Sequence, residues 1–161
     1  MTLKNISIIF ILSLFSTTAC KKENILGINC RNPTSDISES KSIIIGKWEW
    51  AYEKYLDRFS QAYSIRNPQT EGFTRQYEFL KNNNVTIFKN QNLIETAIYE
   101  VTTLNVVTGS DMDSETTILL FKNKSTGQRI DFAPMVVCND TLTLNYHAYS
   151  DMKGQEKWRK N

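Results

Sequence analysis

From Ser42 onward, apolar side chains recur at every second position, and few folds can use that pattern. Trp48, Trp50 and Tyr52 share one parity, and Lys47, Glu49 and Glu53 share the other. Helical spacing would scatter these aromatics around a cylinder; an extended chain puts alternate residues on one face. The segment Ile43 to Tyr55 is therefore expected to be a strand. Further alternating segments run from Phe73 to Leu80, Val85 to Lys89, Leu93 to Thr103, Glu115 to Lys122, Gln128 to Val137, Thr141 to Ala148 and Gln155 to Lys160. Between them stand turn-forming stretches such as Asn82-Asn83-Asn84, Asn90-Gln91-Asn92 and Asn139-Asp140. Short strands at such intervals predict an all-β sandwich or barrel. Successive hairpins favour an eight-stranded antiparallel up-and-down barrel, because closure removes the exposed edges of an open sheet. No amphipathic helix is required, although one turn could hide between Asp57 and Pro68.

The inward face would carry Trp50, Tyr52, Tyr77, Phe79, Tyr99 and Tyr146, which are also the expected lining of any ligand cavity. Leu56 to Gly72 is the one long connection. Connections beyond roughly 12–15 residues are uncommon in compact domains and often cover or bind something. This one reads as a lid over one barrel end or as a floppy insertion.

The first twenty residues follow a different logic. Lys4 precedes an apolar run from Ile6 to Phe15, and Thr17, Thr18 and Ala19 lead into Cys20. That is the order of a secretory signal. The apolar run is too short for a spanning helix, which needs roughly 20 residues. Thr17-Thr18-Ala19-Cys20 resembles the lipobox of bacterial lipoproteins, with Thr17 where that family usually has leucine. The resemblance implies cleavage before Cys20 and acylation of that cysteine, palmitate included, so that lipid anchors the chain to a membrane. An ordinary signal peptide with a chance cysteine is the alternative. Three parts are expected: a signal peptide over 1–19, a lipidated polar tether over 20–41, and a barrel domain over 42–161. Lys21, rather than aspartate, follows the cysteine, which by the same resemblance implies a Gram-negative outer membrane.

The 161-residue chain carries 19 basic and 17 acidic residues. Lys4 is the only charged residue before Cys20, so the processed chain is nearly neutral. Nucleic-acid binding, which leaves a basic excess or stripe, has no support. Cys30 and Cys138 are the other cysteines. In an oxidising envelope two leftover thiols most simply pair, although two free thiols remain the alternative.

At Gly46-Lys47-Trp48 the sequence reaches a G-x-W on the first strand of an eight-stranded meander. Together with Arg159 on the last strand, it resembles the lipocalins, and the bacterial lipocalin-like lipoproteins in particular. The resemblance covers roughly Ile44 to Lys160. It implies that Trp48 closes one barrel end with Arg159 over its ring, a contact worth about 0.5–2 kcal/mol when partly desolvated. It also implies a lid in the first long connection.

Catalytic chemistry has little to stand on. His147 is the sole histidine, and a nucleophile–base–acid arrangement needs partners that its neighbours do not supply. The glycines are isolated, so no phosphate loop exists. Asp111-Met112-Asp113-Ser114-Glu115 alternates carboxylates but lacks the later glycine and glutamate of a calcium loop. Two cysteines and one distant histidine fall short of a four-ligand metal set. The expectation is a non-enzyme without cofactor or metal. Two functions fit. One is a barrel that binds a small apolar or amphipathic ligand in the envelope. That is the expected function, and the alternative to it is a filled barrel that contacts another envelope protein.

Overall fold

A computed structural model describes residues 34, 36–57, 59–107, 113–145 and 154–161. Cys20, Cys30, Tyr146 and His147 lie outside them, as do residues 111 and 112 of the acidic turn. The order of elements is helix α1 (Ile37–Ile44), strands β1 (Gly46–Leu56) and β2 (Tyr63–Arg66), helix α2 (Pro68–Glu71), then β3 (Arg75–Phe79), β4 (Asn84–Lys89), β5 (Asn92–Val107), β6 (Asp113–Asn123), β7 (Arg129–Val137), β8 (Thr141–Asn145) and β9 (Gly154–Lys160). From β3 to β9 each strand pairs antiparallel with the next. β1 joins β3 on one side and β9 on the other, which closes an eight-stranded up-and-down barrel as expected.

β2 is the ninth strand and has no counterpart in the expected set. It pairs with the second half of β1, Glu53 to Leu56, whereas β3 pairs with the first half, Gly46 to Glu49. β2 and β3 are thus two pieces of one barrel strand, interrupted by α2. Asn67 caps that single helical turn through Thr70, and Gly72 ends it at a positive φ of 70° that favours glycine. The long connection is therefore part of the wall, neither a lid nor a floppy insertion. Its apolar side chains Phe59, Tyr63 and Ile65 face solvent.

Helix α1 lies where the polar tether was expected, since residues 37–41 were assigned to it. Asp36 caps it by accepting from the Glu39 amide at 2.7 Å. Eight residues alone would be marginal in water. Packing holds this helix: Ile44 is fully buried, and Ile37 and Ile43 lie against the core. The orphan carbonyls at its end are met from the barrel. Trp48 Nε1 donates to Ile44 O at 2.6 Å, and Lys160 Nζ donates to Ile43 O at 2.7 Å. Gly46 makes the turn from helix to strand at a φ of 123°, and a Cβ there would meet Lys160 Cε at 3.3 Å. The glycine of the G-x-W motif is thus accounted for by backbone and by space.

Arg159 does not cover Trp48. Along β9 the residues Gly154, Glu156 and Trp158 are buried, so Arg159 points outward and is exposed. Lys160, directly opposite Trp48 in the register, places its ammonium 5.4 Å from the indole centroid. Alternation decides this: a residue next to an inward Trp158 cannot itself turn inward. Lys160→Met is expected to cost about 1–2 kcal/mol, through a lost charged hydrogen bond at a helix C-terminus. Arg159→Ala should stay within about 0.5 kcal/mol. Urea midpoints of the two variants would check this, and equal losses would contradict the assignment.

Candidate functional site

In an up-and-down barrel the connections alternate between ends. One end holds α1, the β3–β4 and β7–β8 turns and the C-terminus. The other holds the β1–β3 connection, the β4–β5 and β6–β7 hairpins, the end of β8 and the start of β9. The α1 half of the core is mainly apolar: Trp48, Phe79, Val85, Leu142 and Leu144 are all fully buried, with Ser40 and Thr141 the buried polar residues there.

Aromatic rings cross the middle of the lumen. Tyr77 stacks on Trp158 with centroids 4.2 Å apart and touches Phe79 and Phe121; Phe79 in turn meets Tyr99 edge-on at 5.0 Å. Trp50 stacks on Phe73 at 5.7 Å. Five of the six expected cavity residues are described, and four of them, Trp50, Tyr77, Phe79 and Tyr99, take part in these ring contacts. Tyr52 is displaced from the set. A register shift between Trp50 and Tyr52 brings Tyr52 opposite Lys157 and puts Glu53 opposite the inward Glu156. Past this bulge the inward parity passes from even to odd residues of β1.

A charged group that the sequence reasoning did not single out sits above the rings. Arg75 Nη1 is 2.8 Å from Glu156 Oε1, and Nη2 is 3.9 Å from Glu53 Oε2. Its guanidinium lies 4.0 Å from the Trp50 centroid and 5.5 Å from that of Trp158. The β1–β9 register sets two carboxylates directly opposite each other, an unfavourable pairing by itself. Arg75 between them offsets the repulsion, and the two indoles complete its surroundings. The Tyr77 hydroxyl below is pushed above its ordinary range, first by burial and then by the Glu156 charge, with Arg75 opposing. Parity was the available signal: Arg75 alternates with Tyr77 and Phe79, and Glu156 with Trp158. Two buried donors, Trp50 Nε1 and Arg75 Nε, have no hydrogen-bond partner among the described residues.

No protein-family model matches the chain, and neither a curated protein nor a solved structure is significantly similar to it.

A groove of about 350 Å³ lies on the outer wall, where β1 changes partner from β3 to β2. Lys47, Glu49, Thr74, Gln76 and Phe88 line it, and of the expected cavity residues only Trp50 reaches it. The described residues hold no group of three or more His, Cys, Asp or Glu placed for a metal ion.

The rim of the end opposite α1 has its own character. Phe59 is 100% exposed, and Tyr63, Ile65, Leu93, Ile94 and Ile130 are exposed as well. The Phe59 tip is well built. Asp57 Oδ1 accepts from the Ser60 amide at 2.8 Å and from the Phe59 amide at 2.9 Å, which holds its carboxyl below the usual range. The exposed ring thus stands on a hydrogen-bonded turn.

Proposed function

We propose that this chain is a lipocalin-like envelope lipoprotein, anchored through lipid on Cys20, that works by surface contact at the end opposite α1. One observation carries the reading. The lumen is crossed by the protein's own stacked rings and the Arg75 cluster, while the rim above them presents large apolar side chains to solvent. Large apolar side chains gathered at one end of a barrel mark a surface suited to meeting another apolar surface. On this reading the signal peptide over 1–19 is removed, and the processed chain is held at the outer membrane of a Gram-negative cell.

The anchor has its own test. Cys20→Ala should release the protein from membranes and abolish palmitate incorporation; retention with labelling intact would sink the lipoprotein assignment.

A second reading, a small amphipathic ligand within the charged end of the lumen, has one observation in its favour. Trp50 Nε1 and Arg75 Nε are two buried donors that an acceptor oxygen of a ligand would satisfy. Native mass spectrometry of protein purified from the envelope separates the two. Surface contact predicts the mass of the lipidated chain alone and no binding of hydrophobic dyes in the lumen. A small molecule retained at one per chain would favour the carrier reading instead.

A further inference from the structure

Among the described residues, seven large hydrophobic side chains are exposed, and their distribution is uneven. Phe59, Tyr63 and Ile65 belong to the β1–β2 hairpin, Leu93 and Ile94 to the β4–β5 hairpin, and Ile130 to the start of β7. All six stand at the end opposite α1. Only Leu80 is at the α1 end. Random surface apolarity would not sort by barrel end.

Cations accompany this rim, seated on rings. Lys54 Nζ is 4.4 Å from the Tyr63 centroid, Arg66 is 4.2 Å from that of Tyr55, Lys89 is 4.1 Å from that of Phe73, and Arg129 is 4.7 Å from that of Phe132. Asp57, Glu71, Glu95 and Asp131 share the same end. With Lys124 in the β6–β7 hairpin, the charges of the described rim residues nearly balance, and Arg66 and Glu71 form an ion pair at 3.9 Å. Aromatic and aliphatic tips beside amphipathic cations suit the boundary between lipid headgroups and acyl chains. A phospholipid surface offers both the anionic phosphates for the cations and the apolar layer for the tips.

We infer that this rim docks on a phospholipid bilayer, with Phe59, Leu93 and Ile94 entering the headgroup–acyl boundary. The inference rests on the surface-contact reading and names its partner. Chain length permits it. Thr34, the first described residue, bridges to Val137 at the α1 end. The fourteen residues from Cys20 to Pro33 would span up to about 50 Å if fully extended, and the eleven from Cys20 to Cys30 about 36–40 Å if Cys30 is bonded to Cys138. The eleven residues of β1 rise about 36 Å at most. A barrel tethered at its α1 end can thus turn its opposite rim onto the bilayer that holds the lipid.

The test uses the full chain reconstituted into vesicles of phosphatidylethanolamine and phosphatidylglycerol, with acyl chains either brominated or not. Phe59→Trp adds an indole at a fully exposed tip, and Leu80→Trp adds one at the far end. The emission added by Phe59→Trp should shift to the blue and lose most of its intensity in brominated vesicles, whereas that of Leu80→Trp should not. Leu93→Asp with Ile94→Asp should abolish the quenching while the protein stays on the vesicles. A retained protein whose Phe59→Trp emission ignores bromine overturns the rim inference and leaves the anchor assignment standing. Shielding of that indole only when envelope proteins are added overturns it too, in favour of a protein partner. If retention survives Cys20→Ala, the anchor assignment fails, and bromine quenching of Phe59→Trp still decides the rim.

Discussion

Breaking a bridge between Cys30 and Cys138 should lower the stability of this protein by about 4–5 kcal/mol, the chain-entropy value for closing a loop of about 109 residues. The pairing is a proposal, and position supports it. Cys138 is buried directly after β7, and the amide of Thr34 donates to Val137 O at 3.4 Å. Cys30 precedes Thr34 by four residues, which reach at most about 14 Å. An oxidised bond would hold the segment before α1 against the barrel end that α1 packs on, and so oppose loss of the helix. Cys30→Ser is the cleaner variant, because Cys138 is part of the buried set. The denaturation midpoint of Cys30→Ser should match that of the reduced wild type and fall well below that of the oxidised wild type. Alkylation of both thiols in unfolded, unreduced protein from the envelope would end the proposal.

Trp158→Ala should be nearly as damaging, at about 3–5 kcal/mol, the usual cost of truncating a buried aromatic. That corresponds to a fall in melting temperature on the order of 10–20 °C. Trp158 has no exposure, stacks on Tyr77, and sits opposite both Trp50 on β1 and Leu142 on β8. It therefore lies in the strand that closes the barrel. Its Nε1 donates to Glu156 Oε2 at 3.3 Å, and its ring flanks Arg75. Removal would open a cavity and also take one wall from the charged cluster. Leu93→Ala, on the exposed rim, should stay within about 0.5 kcal/mol. Thermal unfolding followed by circular dichroism distinguishes the two, and a loss below about 1 kcal/mol for Trp158→Ala would contradict a packed lumen.

The candidate site was only partly legible in the chain. Arg75 and Glu156 carry the parity of their aromatic neighbours, so alternation alone would have turned them inward. Against that placement stands the rule that charged residues are seldom buried in a barrel interior without partners. Their partners come from three different strands, and a one-dimensional pattern does not show that meeting. Glu53 was hidden for another reason: the bulge after Trp50 reverses the parity of β1, and nothing local announces it. Helix α1 did have a local signal, since Asp36 stands three residues before Glu39 in the manner of a helix start. Its apolar residues are too few to declare a face, and its stability comes from the barrel it covers.

Period-2 alternation broken by asparagine-rich turns was enough to determine the eight main strands, their antiparallel succession and the closed barrel, though not β2, because a half-buried strand must keep one face apolar along its length. Tertiary structure alone decided which residues meet. Lys160 rather than Arg159 covers Trp48, Arg75 reaches the two glutamates, and the exposed apolar side chains gather at one end. Those outcomes depend on register, bulges and the alternation of connections between barrel ends, and these are set by the packing of strands distant in the chain.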